Sequence, residues 1–148
     1  MVRRVRGFTL LEIMVVLAVM ATAIALVAPN LSGMLQRLEL ASTTREVASA
    51  LRYTRSHAIG SGRSADFWLN VKERKYRAAD ERKIRHLPDS LRVHLKTADT
   101  QTAGGSAGYI RFFPDGSSTG GQVRIESEGA TRQVNVNWLT GAVRISGG

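Results

Sequence analysis

The sequence contains no cysteine. Disulfides, zinc thiolate sites and thiol catalysis are thereby excluded together. The redox compartment stays open, because a domain of this size manages without cross-links even in an oxidising space. Histidine is scarce too, with 3 residues, and His57, His86 and His94 show no close ligand spacing. A metal site would need them to converge with acids from distant parts of the chain, so they are read as surface or strand-face residues, and no metal or cofactor is expected. Acids are few: 12 against 21 basic residues, a net charge of +9. Only Arg3, Arg4, Arg6 and Glu12 are charged ahead of Asn30, so most of the excess lies beyond it, where a basic domain can meet acidic partners, nucleic acid or anionic lipid. No internal repeat or low-complexity tract is evident.

One long apolar block is present. From Phe8 to Ala28 it runs for roughly 21 residues, which as a helix spans about 31 Å, enough to cross a bilayer core. Its single charge, Glu12, costs roughly 2.5 to 3.5 kcal/mol near the centre of an inserted helix, and a residue kept at that cost has a task. The short leader from Met1 to Gly7 carries three arginines and no acid, so the positive-inside rule keeps the N-terminus cytoplasmic and sends the remainder across. Two plainer readings compete. Ala23-Ile24-Ala25 has the form of a signal-peptidase site, but the block is longer than an ordinary signal core of ~7 to 15 residues. A plain signal anchor explains the length and leaves Gly7-Phe8 and Glu12 without a role.

Beyond the block, Pro29 lacks a backbone donor, which bends a helix without necessarily ending it. Leu31, Met34, Leu35 and Leu38 resume a helical spacing, and Leu40, Thr44, Val47, Leu51, Thr54 and Ala58 continue one face. Gly60 and Gly62 bracket the stop. After Gly62 the period becomes two: Ala65, Phe67 and Leu69 alternate with polar neighbours, as do Leu91, Val93 and Leu95. Thr97 to Gly108 reads as a polar loop. Strands follow over 109–113, 122–128, 132–139 and 142–146, with Val134, Val136 and Trp138 on one face and turns at Pro114-Asp115-Gly116, Gly129 and Thr140-Gly141. The expected fold class is α+β, a long N-terminal helix packed on an antiparallel β-sheet domain. Its segments are a leader at 1–7, a membrane helix at 8–29 and an outer domain at 30–148, itself an amphipathic helix at 30–60 and strands within 64–146.

The basic leader ending in Gly7, then Phe8, Glu12 and Pro29, resembles the type IV prepilins and type II secretion pseudopilins. The stretch Ile110-Arg111-Phe112-Phe113-Pro114-Asp115-Gly116-Ser117-Ser118-Thr119-Gly120-Gly121, with Trp138-Leu139-Thr140-Gly141 and Leu51-Arg52-Tyr53-Thr54-Arg55-Ser56-His57-Ala58, is similar to the minor pseudopilins of the general secretion pathway. Between Lys72 and Thr102 the likeness is of strand character alone. The resemblance implies a type IV pilin-like fold, cleavage between Gly7 and Phe8 by a prepilin peptidase, N-methylation of Phe8, and pairing of Glu12 with a neighbour's terminal amine during filament assembly. A carboxylate in a low-dielectric bundle is tolerable beside such a cation. It also implies a single-pass inner-membrane protein with a periplasmic domain, part of a pseudopilus that helps export folded proteins, with other pseudopilins and secreted proteins as partners.

No enzyme is legible. Asp115 to Gly121 lacks the Gly-Lys-Ser/Thr ending of a phosphate loop and sits between strands. Asp115 stands alone where a calcium site needs several oxygens. Glu126 and Glu128 share a strand face without an evident partner, and there is no nucleophile elbow. The basic segment Lys72, Lys75, Arg77, Arg82, Lys83 and Arg85, beside Tyr76 and Trp68, has the makeup of a nucleic-acid surface. It would support the alternative function, a minor type IV pilin for pilus biogenesis or DNA uptake. Glu73, Asp80 and Glu81 dilute its charge, so a solvated hairpin is preferred and nucleic acid is the less favoured partner.

Overall fold

A computed structural model describes residues 8–79, 82–97 and 106–147, with the side chains of 26–32 outside the description. Helix α1 spans Leu10–Ser61 and continues through Pro29. Its start follows from Thr9-x-x-Glu12, the spacing of a capping box: the Glu12 backbone N–H donates to Thr9 Oγ1 at 3.2 Å. Its end follows from Gly62, whose φ of 65° is the left-handed conformation that closes a helix at little cost for glycine. The chain divides into two compact units, one up to Leu35 and one from Gln36 onward.

In the first unit every described side chain from Phe8 to Ala25 is exposed. Leu10, Leu11, Met14, Leu17, Val19 and Ile24 point around the whole circumference, so this half of the helix has apolar surface on all sides and no core of its own. Among the described residues no helix is long and apolar enough to cross a membrane. Within the expected span of 8–29 the described side chains stop at residue 25, short of the roughly 20 residues a span requires, and the remainder of that span lies outside them.

The second unit is built on the other half of α1. Leu40, Thr44, Val47, Leu51, Thr54 and Ala58, the face set by the helical period, are all buried. The two threonines are satisfied within the helix: Thr44 Oγ1 donates to Leu40 O at 2.6 Å and Thr54 Oγ1 to Ala50 O at 2.8 Å, which removes the penalty for burying a hydroxyl. Thr54 Oγ1 also accepts from the Ala79 N–H. Met34 and Leu35, at the end of the first unit, and Leu38 also follow a helical spacing and remain exposed.

Eight strands follow: β1 Ala65–Asn70, β2 Lys75–Arg77, β3 Arg85–His86, β4 Arg92–Lys96, β5 Ala107–Phe112, β6 Gly121–Ser127, β7 Ala130–Val136 and β8 Val143–Ser146. They form two antiparallel four-stranded sheets, in the orders β3-β2-β1-β5 and β4-β6-β7-β8. The chain therefore leaves the first sheet for β4, returns with β5 and leaves again. Pairing decides this: Phe67 lies opposite Ile110 and Val93 opposite Ile125. Phe67, Leu69, Ile110, Phe112, Val123, Ile125 and Val134 join the buried face of α1 in one core.

Two expectations change. Trp138 is not on the inward face of β7, which ends at Val136; the indole is 66% exposed. Asn137 breaks the strand, because its Oδ1 accepts the N–H groups of Leu139 and Thr140, each at 3.0 Å, and starts a turn there. Gly108, read as loop, belongs to β5, where it lies opposite Leu69; residues 98–105 of that loop lie outside the described residues.

Candidate functional site

Of the residues assigned to processing and assembly, Phe8 and Glu12 are described, at the start of α1. Gly7 lies outside the described residues. Phe8 is 80% exposed, and Glu12 occupies the first helical turn. A carboxylate there interacts favourably with the positive end of the helix dipole, so Glu12 has a local role in starting the helix beside any role in pairing. That signal, Thr9 three residues ahead of Glu12, was present in the sequence and is independent of the membrane argument.

The basic segment folds as the β2–β3 hairpin region. Lys72, Arg77, Arg82 and Lys83 are exposed, and Lys75 and Arg85 half-buried. Lys75 Nζ lies 3.4 Å from Glu73, and Arg77 faces Trp68 across the β1–β2 pair. Tyr76, the aromatic partner that a nucleic-acid surface would need, is 1% exposed and packs its ring 5.9 Å from Phe67. Trp68 and Tyr109, both half-buried, remain on the same side as Arg77, in one register row across β2, β1 and β5. Arg74 was not singled out from the sequence, yet it organises this region. At φ 55°, it donates from Nη2 to the carbonyls of Pro88 and Leu91 and places Nε 3.0 Å from Asp89.

The Asp115 turn and the Thr140-Gly141 turn come together at the C-terminal part of α1. Asp115 Oδ1 accepts from Ser117 Oγ at 2.6 Å and from the Ser117 N–H at 2.9 Å; the hydroxyl first, then the amide, holds this carboxyl below its ordinary value of 3.8. The carboxylate is thus engaged in shaping its own turn. The Ser118 N–H donates to Trp138 O at 2.8 Å, linking the two turns, and Arg55 Nε donates to Gly116 O at 3.1 Å, linking them to the helix. Gly141, at φ 60°, fits where a Cβ would stand 2.1 Å from Gly116 O. This junction uses the family-like segments around Leu51, Phe113 and Trp138 as structural contacts.

His57, His86 and His94 lie on α1, β3 and β4, and among the described residues no group of three or more His, Asp or Glu side chains comes together as a metal site. Glu126 does have neighbours: His94 Nε2 at 4.0 Å across the β4–β6 pair and Arg124 Nη1 at 3.8 Å.

Over residues 43–141 the chain matches the family described as type II transport protein GspH, and over residues 2–28 the prokaryotic N-terminal methylation motif. It is 36% identical over 142 residues to the type II secretion system protein H of Xanthomonas campestris pv. campestris, covering 96% of this chain and 83% of that protein. Its fold is similar to that of the minor pseudopilin EpsH from the type 2 secretion system of Vibrio cholerae, with a TM-score of 0.57 at 14% identity over 74% of this chain and 97% of the other. The type IV minor pilin FimU of Pseudomonas aeruginosa is similar as well, with a TM-score of 0.54 at 15% identity over 75% and 90% of the two chains. The structural likenesses speak for the pilin-like fold, shared by pilins and pseudopilins, and the sequence matches distinguish between them: the chain belongs to the GspH family, the minor pseudopilins of type II secretion systems.

Proposed function

We propose that this minor pseudopilin is a structural, non-enzymatic subunit that is cut between Gly7 and Phe8 by a prepilin peptidase, N-methylated at Phe8, and held in the inner membrane by residues 8–29. Residues 30–148 then stand in the periplasm. The subunit assembles through its N-terminal helix with other major and minor pseudopilins, and the pseudopilus helps to move folded proteins across the outer membrane. The observation that carries this reading is the first half of α1, apolar around its whole described circumference and exposed. Such a surface is stable in lipid or in a bundle of like helices and costly in water. Glu12 would set the register between neighbours, as its low-dielectric surroundings favour pairing with a terminal amine.

Mass spectrometry of the membrane-extracted protein tests the first step. The expected terminus is N-methylated Phe8; a terminus near Thr22, Ile24 or Leu26 would establish ordinary signal cleavage instead. Replacing Gly7 by a bulky residue should leave the leader attached. For the basic hairpin region, the core position of Tyr76 removes that ring from any base-stacking surface and supports the solvated reading.

A further inference from the structure

The outward face of the second sheet carries an open groove of about 930 Å³. One register row crosses all four strands beneath it: Lys96 opposite Gln122, Gln122 opposite Asn135, Asn135 opposite Arg144. The two middle residues are committed to one another and to the sheet. Gln122 Nε2 donates to Asn135 Oδ1 at 2.7 Å and to Gln133 Oε1 at 3.0 Å, and Asn135 Nδ2 donates to Ser146 Oγ at 2.8 Å. The floor is therefore a polar ladder held by its own side-chain amide hydrogen bonds. The two end residues are the opposite case: Lys96 and Arg144 are exposed and make no ion pair among the described residues. Among the residues that line the groove there is no acid, and Trp138 forms one wall.

We infer that this groove is a docking site for an extended, acidic segment of a partner protein, with two carboxylates taken by Lys96 and Arg144 and an apolar side chain between them laid against Trp138. Spacing supports the choice. Three inter-strand steps of ~4.8 Å separate the ends of the row by about 14 Å, which an extended chain covers in roughly four residues. Charge selects against the other occupants. A second copy meeting groove to groove would bring Lys96 and Arg144 against their own kind, since a two-fold contact pairs the same patch with itself, and nucleic acid would find Trp138 as its single stacking wall. The site is separate from the filament helix, so binding there stands or falls without reference to leader cleavage or Glu12.

The test uses the full chain in non-ionic detergent micelles and a fluorescein-labelled peptide, Ser-Glu-Thr-Leu-Thr-Glu-Ser, read by fluorescence anisotropy. The peptide should bind, and replacing both its Glu residues by Gln should weaken binding at least ~tenfold, as expected for charge-dependent recognition. The double variant Lys96→Glu with Arg144→Glu should lose the acidic peptide and take up the counterpart carrying Lys in place of Glu. That swap also shows that the variant is folded. Trp138→Ala should weaken binding at least ~fivefold, whereas Arg82→Glu with Lys83→Glu, on the basic hairpin region, should leave it within about twofold. Several results would overturn the assignment: no binding up to millimolar peptide, equal binding of the Glu and Gln peptides, an equal loss on reversing Arg82 and Lys83, or self-association that disappears with Lys96→Glu and Arg144→Glu.

Discussion

Arg55 Nε donates to the Gly116 carbonyl at 3.1 Å, and that single bond ties the C-terminal part of α1 to the turn between β5 and β6. The same carbonyl bars any side chain at Gly141, so three segments far apart in the chain meet at one oxygen. Gly141→Ala should cost about 2 kcal/mol or more, from a left-handed φ combined with a blocked Cβ. Arg55→Ala should cost roughly 1.5 to 3 kcal/mol for a lost bond from a charged donor. Denaturant unfolding of the two variants checks this, and stabilities equal to the parent chain would show that the junction contributes nothing.

The helix face supplies a sharper contrast. Leu51 is fully buried and Leu38 is 56% exposed, so Leu51→Ala should lose about 2 to 5 kcal/mol of stability and Leu38→Ala should stay within roughly 0.5 kcal/mol. Similar midpoints for both would mean that the two positions are equally buried in solution. A loss of filament incorporation in Leu38→Ala at unchanged stability would instead place Leu38 in a contact between subunits.

Glu12 has two roles to separate. Glu12→Gln should spare insertion and leader cleavage, since removing a charge eases entry into the bilayer, and should weaken cross-linking to other pseudopilins. Thr9→Val removes the capping oxygen, a change worth about 1 kcal/mol of helix stability, and keeps the carboxylate. If cross-linking falls in Glu12→Gln and persists in Thr9→Val, the carboxylate acts in pairing. Equal loss in both would reduce Glu12 to its place in the first helical turn.

Asp115 predicts a pH effect of defined sign. Its carboxyl is held below 3.8 by the Ser117 hydroxyl first and the Ser117 amide second. A depressed folded-state value means that the contribution of this turn is present above the unfolded value and is lost as pH falls through the folded one, below about pH 4. Ser117→Ala should move the Asp115 titration upward toward its ordinary value, as followed by the carboxyl carbon shift in NMR. An unmoved titration would show that the Ser117 hydroxyl does not act on this carboxyl.

The long helix and the residues it buries were legible in the sequence because they rest on local physics. Leu40, Thr44, Val47, Leu51, Thr54 and Ala58 share a face by the 3.6-residue period alone, Gly62 marks the end of α1 by its own backbone freedom, and Gly7-Phe8 with Glu12 carries a chemical pattern that needs no fold to be seen. Strand faces were legible for the same reason: Phe67 and Leu69, or Leu91 and Val93, alternate with polar neighbours and are buried. What the period cannot contain is the partner. Alternation says which side of a strand is apolar and nothing of the strand it pairs with. The split into two sheets was therefore decided by long-range register, with β5 opposite β1 and β4 opposite β6. Trp138 was misplaced because the strand pattern runs on past Val136 while a side-chain turn at Asn137 stops it. Arg74 was missed because its three partners lie 14 to 17 residues ahead. Lys96 and Arg144, 48 positions apart in the chain, become the two ends of one row only when four strands align, since charge spacing across a sheet is a product of pairing and not of sequence distance.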